Sequence, residues 1–143
     1  MQGRDNVLTD NLPDSATLYN YIGEDTDGNA LYQRTYFNPC RVVLSTGAMM
    51  DNEDDNIRAY LFDLKTVAAS GDTVRAYCDP RAFDTLADKS AYWTLRDDGR
   101  DWIAKGQCSD AAPPENSTAY AVRTIKRNQI GSLRMWHWKV TGR

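Results

Sequence analysis

Thr17-Leu-Tyr-Asn-Tyr-Ile22, then Gly23-Glu-Asp-Thr-Asp-Gly-Asn29, then Leu31-Tyr-Gln-Arg-Thr-Tyr-Phe37: this stretch decides the fold class. Two segments dense in aromatic and β-branched residues flank a turn that contains Asp27-Gly28-Asn29, which is the pattern of an antiparallel hairpin. Asn38-Pro39 is expected to stop the second strand, because proline has no N–H for a ladder. Working outward, Arg41–Leu44 reads as a third strand, Ile57–Leu64 as a fourth and Thr73–Cys78 as a fifth. Asp79-Pro80 closes that strand and opens PRAFDTLADKS (80–90), a single short helix with proline in its first turn. Tyr92–Leu95 and Trp102–Lys105 flank the turn RDDGRD at 96–101, and Ala119–Ile125 and Leu133–Val140 close the chain through a connection at Asn128–Gly131.

Short strands at turn intervals of roughly 8–12 residues predict an all-β chain, an antiparallel β-barrel or sandwich of about 8 strands. With no helical period alternating between the strands, a parallel α/β sheet is not expected. The reading has an extended polar N-terminal arm at 1–15 and a single domain at 16–143, with one short helix and long loops at 45–56 and 109–117. The second loop carries Pro113-Pro114, which makes it a stiff, extended connection.

At 143 residues the chain fits one domain, and 41% hydrophobic with 26% charged residues is ordinary globular usage. A core of this size needs neither metal nor disulfide. No apolar run approaches the roughly 18 residues of a membrane span, and the first residues lack the apolar stretch of a leader, so no membrane association is expected. Cys40, Cys78 and Cys108 are odd in number and far apart, which suits reduced thiols in a protein made in a cytoplasm rather than a disulfide framework or zinc ribbon.

The formal net charge is only −3, but it is unevenly placed. Residues 1–56 hold ten acids against three bases, whereas 118–143 hold six bases (Arg123, Lys126, Arg127, Arg134, Lys139, Arg143) and no acid. Such a chain can meet copies of itself acidic to basic surface, or its two signs can lie side by side on one solvated surface.

Catalytic signatures are missing: there is no G-x-S-x-G elbow, H-E-x-x-H, Walker loop or dinucleotide fingerprint. The single histidine, His137, lies between Trp136 and Trp138, where alternation sends the tryptophans to one face and His137 to the other. It is read as structural. Asp25-Thr-Asp27-Gly-Asn29 departs from a calcium loop at Ala30 and Tyr36, and a hairpin turn explains it without an ion. Glu53-Asp54-Asp55 is read as a solvated acidic tip. Neither catalysis nor a cofactor is expected. The closing hairpin does interleave aromatics with bases, as a nucleic-acid-binding surface would, although the chain as a whole is acidic.

Five stretches carry a likeness to known proteins: T-L-Y-N at 17–20, D-P-R-A-F at 79–83, Y-W-T-L at 92–95, D-W-I-A-K-G at 101–106 and H-W-K-V-x-G at 137–142. Over residues 17–142 the chain resembles small head–tail joining proteins of tailed phages, specifically the head-closure or stopper type. The resemblance implies a β-barrel protomer with long loops and a terminal arm. It also implies a homo-oligomeric ring, sixfold or twelvefold, in the virion neck. That ring would bind portal or adaptor proteins on one side and a tail terminator on the other, around packaged double-stranded DNA, after synthesis in the bacterial host cytoplasm. A tail terminator or helical adaptor is the nearer alternative, although both carry more helix. A nucleic-acid-binding β-barrel is the alternative from another class, and a carbohydrate-binding domain rests only on aromatics in strands.

Two sets of candidate residues follow. The loop Ser45–Asn56, with adaptable Met49 and Met50 and the acids Asp51, Glu53, Asp54 and Asp55, is the candidate channel plug, since an acid cluster resists DNA sliding past it. Arg123, Lys126, Arg127 and Arg134 form the candidate interface between protomers.

Overall fold

The computed structural model describes residues 13–44, 56–62, 66–68, 74–114, 119–129, 131 and 136–143. The elements are β1 (Asp14–Glu24), β2 (Ala30–Leu44), β3 (Ile57–Phe62), β4 (Thr66–Ala68), β5 (Ala76–Tyr77), α1 (Pro80–Thr85), β6 (Tyr92–Trp93), β7 (Trp102–Lys105), β8 (Ala119–Asn128) and β9 (His137–Gly142). Six strands follow one another in the order β1-β7-β8-β9-β3-β2, and β2 pairs again with β1, so the sheet closes on itself as an antiparallel barrel. The all-β reading with one short helix holds.

The β1–β2 hairpin forms where the sequence places it. Gly28 takes φ +83° in the turn, and the Asp25 carboxylate accepts the backbone N–H groups of Asp27 and Asn29. Those bonds hold the Asp25 carboxyl below its usual range, with the Asn29 N–H the largest cause. β1 starts at Asp14, so the last two residues of the expected arm already pair with the barrel, and 1–12 lie outside the described residues.

Three strand expectations are corrected. β2 does not stop at Asn38-Pro39 but runs through it, with Pro39 in a cis peptide. Proline is tolerated there because the ladder shifts at that point: Thr35–Phe37 pair with β1 and β4, and from Arg41 the strand pairs with β3. The expected strand 73–78 is reduced to Ala76–Tyr77, which forms a parallel two-residue pair with Tyr92–Trp93 outside the barrel sheet. β6 and β7 therefore do not pair across the turn at 96–101; β7 inserts between β1 and β8.

Alternation along the strands fills the barrel with Leu18, Phe37, Ile57, Leu61, Ile103, Val122, Trp138 and Val140, and Trp93 from the β6 segment joins them in one cluster. Trp93 meets Phe37, Tyr77 and Trp138 at ring-centroid distances of 5.0, 5.1 and 6.0 Å, edge-on in each case. The segment is clamped to β1 by a side chain acting like a strand: buried Asn20 donates to the Thr94 carbonyl (2.8 Å) and accepts its N–H (3.2 Å). Gly142 is dictated by closure. A Cβ there would lie 2.8 Å from the Ala121 carbonyl oxygen and 2.9 Å from Ile57 Cγ2, so β8, β9 and β3 approach this closely only around glycine.

Candidate interface

Register decides what the outer surface of the barrel carries. Lys126 on β8 is the partner of Lys139 on β9, Lys139 of Tyr60 on β3, and Tyr60 of Arg41 on β2. These four side chains form one row across four strands, spanning roughly 14 Å at the usual strand spacing. Arg58 stands two residues from Tyr60 on the same face, opposite Thr141. Among the described residues none of Arg41, Arg58, Lys126, Lys139 or Arg123 has a carboxylate in ion-pair range. The Arg58 Nε is buried with no hydrogen-bond partner. Like charges directly opposite on an antiparallel pair are destabilising, so the Lys126–Lys139 juxtaposition is a local cost of this face.

Not every expected interface residue joins the row. Arg127 points the other way: its guanidinium lies 4.7 Å from the Trp138 ring centroid and 5.2 Å from that of Tyr77. It is exposed yet lies over the aromatic cluster as a cation–π lid, on the opposite side of the strand from Lys126. Arg123 is exposed at the register shift of β8. Arg134 and the proposed plug residues Met49, Met50, Asp51, Glu53, Asp54 and Asp55 lie outside the described residues. Arg41, which the charge count places in the acidic segment, and Arg58, which lies outside both counted segments, are brought in by tertiary pairing; the available signal was their period-two spacing to Val43 and Tyr60. His137 faces outward as expected and packs its ring on Tyr60 and Phe62 at 6.1 and 5.5 Å. Trp138 points inward, and Trp136, just before β9, donates its indole N–H to the Gly131 carbonyl.

The acids gather at a different part of the surface. Glu24, Asp25 and Asp27 occupy the β1–β2 turn, Asp84 lies on α1, and Asp97 and Asp98 lie in the turn before β7. A cleft of about 310 Å³ between these segments is lined by Tyr21, Ile22, Gly23 and Asp84 together with three bases, Lys89, Arg96 and Arg100, so this edge is acidic at its exposed turns and mixed in charge within the cleft. A buried ion pair builds that edge. Arg96 donates Nε to Asp101 Oδ2 (2.9 Å) and Nη2 to Asp101 Oδ1 (2.6 Å), and it also reaches the Tyr21 carbonyl (2.7 Å) and Asp84 (2.9 Å). Asp101 accepts the Tyr21 N–H as well, so turn, helix and hairpin are locked by one guanidinium and one carboxylate. Hydrogen bonding from Arg100 holds the Asp98 carboxyl below its usual range. Exposed Ile22 and Leu31 accompany these acids.

On the remaining side, Tyr19, Tyr32 and Trp102 form an aromatic patch that the chain covers itself. Residues 108–114 lie over it: Arg34 and Tyr36 donate to the Cys108 carbonyl, the Tyr19 hydroxyl donates to the Asp110 carbonyl, and Pro113 and Pro114 line a cavity of about 250 Å³ with Tyr32 and Trp102. The described part of the 109–117 loop is thus tied to the barrel. Cys40, Cys78 and Cys108 are free thiols, and burial pushes the Cys40 thiol up to about 12.

A family model matches residues 12–143, the whole barrel with the cationic row and the acidic turns. The chain belongs to the DUF6751 family, a family of unknown function. No curated protein and no solved structure matches it. The match spans every described element of the fold.

Proposed function

We propose that the protein is a structural subunit of a phage neck, a head-closure protomer that joins portal or adaptor proteins to the tail around packaged DNA. Its activity is assembly rather than turnover. One observation carries the assembly part of the reading: a closed barrel presents a cationic row with no described carboxylate partner and, elsewhere, exposed acids in the β1–β2 turn and in the turn before β7. A protomer with two complementary, separated patches can contact two neighbours at once, which is the requirement for a heterologous ring. The assignment to the neck rests on the sequence resemblance over 17–142, and the plug role of 45–56 belongs to the same reading.

Native mass spectrometry and negative-stain imaging of the purified protein at low ionic strength, alone and mixed with the products of neighbouring genes, test it. Rings are the expected result. A protein that stays monomeric at every concentration and in every mixture refutes it. Tyr60 between Lys139 and Arg41 favours a second reading, a barrel that binds nucleic acid by stacking and phosphate contact, and a gel shift with single- and double-stranded DNA separates the two.

A further inference from the structure

Building on the assembly reading, we infer that the cationic row on β8-β9-β3-β2 is the seat for the acidic edge of a second copy of this chain. Two features of the row argue for an external anionic partner. Lys126 and Lys139 face each other directly, which costs stability in the isolated barrel unless something of opposite charge offsets it. No described carboxylate approaches Arg41, Arg58, Lys126 or Lys139.

The acidic edge supplies the matching surface. Glu24, Asp27 and Asp97 are exposed and stand outside the Arg96–Asp101–Asp84 and Arg100–Asp98 ion pairs, so their charge is available. The edge is also held rigidly, because Arg96 and Asp101 lock the hairpin, the helix and the turn together. A preorganised patch loses less freedom on docking than a flexible one. Exposed Ile22 and Leu31 among these acids provide apolar contact, and Tyr60 in the row provides a ring for it to meet. Because the two patches differ, the contact is heterologous: each copy uses its row toward one neighbour and its edge toward the next.

A charge swap tests the pairing. Lys126→Glu with Lys139→Glu makes the row acidic, and Glu24→Lys with Asp27→Lys and Asp97→Lys makes the edge basic; none of these residues takes part in the buried ion pair. Each half-swap should weaken self-association by about tenfold to a hundredfold in sedimentation velocity at low salt, as two or three attractions become repulsions. Both swaps in one chain, or the two half-swapped proteins mixed, should restore assembly. Circular dichroism and thermal melting of each variant confirm that the barrel is folded. Half-swaps that assemble like the parent overturn the inference, as do half-swaps that fail to rescue one another. Half-swapped row variants that keep assembling but lose DNA binding overturn it in favour of a nucleic-acid seat. A parent that never self-associates instead sinks the assembly reading beneath it.

Discussion

Replacing Asp101 by Asn tests whether the acidic edge is held by the buried ion pair. The Asp101 side chain is fully buried and that of Arg96 is 3% exposed, so the guanidinium has no route to solvent when its carboxylate is neutralised. The amide keeps the volume, but it loses the charge and turns an N–H₂ group toward a cation or toward the Tyr21 N–H. Removing one partner of a buried pair costs roughly 3–5 kcal/mol, and the half-exposed Asp84 that stays on Arg96 holds the expected loss toward the lower end of that range. Against a total stability of about 7–20 kcal/mol for a chain of this length, that is a substantial share. The midpoint should fall by roughly 6–20 °C, at about 2–4 °C per kcal/mol. Urea titration followed by tryptophan fluorescence reads the change, since Trp93 and Trp138 sit in the core. The companion Arg96→Met and the double variant complete a cycle. The double variant should cost at least about 2 kcal/mol less than the sum of the singles, because it leaves no orphaned charge. A loss below about 1 kcal/mol for Asp101→Asn, or additive singles, would show that the edge is held by packing and refute the reasoning.

Three further outcomes are expected. Gly142→Ala should destabilise the barrel by about 1–3 kcal/mol, since its Cβ would press on the Ala121 carbonyl and Ile57; an unchanged urea midpoint would mean the strands can move apart without cost. Arg127→Ala should lower stability by about 0.5–2 kcal/mol through the lost contact with Trp138 and Tyr77, and should leave self-association intact, whereas Lys126→Glu should do the reverse. If sedimentation shows both affecting assembly equally, Arg127 is an interface residue after all. Burial raises the Cys40 thiol to about 12, above its unfolded value of 9.0, so the folded state keeps a proton that the unfolded chain releases. That stability is fully present below pH 9 and is lost as pH rises toward 12. Tyr19 and Tyr32 are raised by burial too, so the diagnostic quantity is the difference in melting temperature between parent and Cys40→Ala. The parent should lose more from pH 8.5 to 10.5, and parallel curves would contradict the assignment.

Local signals along the chain were enough to read the local parts of this fold. The β1–β2 hairpin, the β8–β9 pair and the strand β7 were legible because two adjacent segments and their turn carry the whole signal in period-two alternation and turn chemistry. The short helix was legible in Asp79-Pro80, and Asp79 does cap it by accepting the Ala82 N–H. Alternation also told His137 from Trp138. Tertiary structure decided everything that depends on which strand lies beside which. Pro39 was a stop signal by local rules, yet β2 changes partners there, so the missing N–H falls where the ladder is already shifted. Residues 92–95 read as a barrel strand but supply Trp93 as filling and pair in parallel with β5. The cationic row joins Arg41, Tyr60, Lys139 and Lys126 from four separate strands, and the acidic edge joins residues 24–27, 84 and 97–98. Counting charge by segment found the excess at each end and placed Arg127 beside Lys126. The strand then laid the exposed Arg127 over the Trp138 and Tyr77 rings and set Lys126 in the cationic row. Side-chain alternation is a property of a single strand, whereas the neighbours of a surface charge are set by barrel closure and register, which depend on contacts distant in sequence.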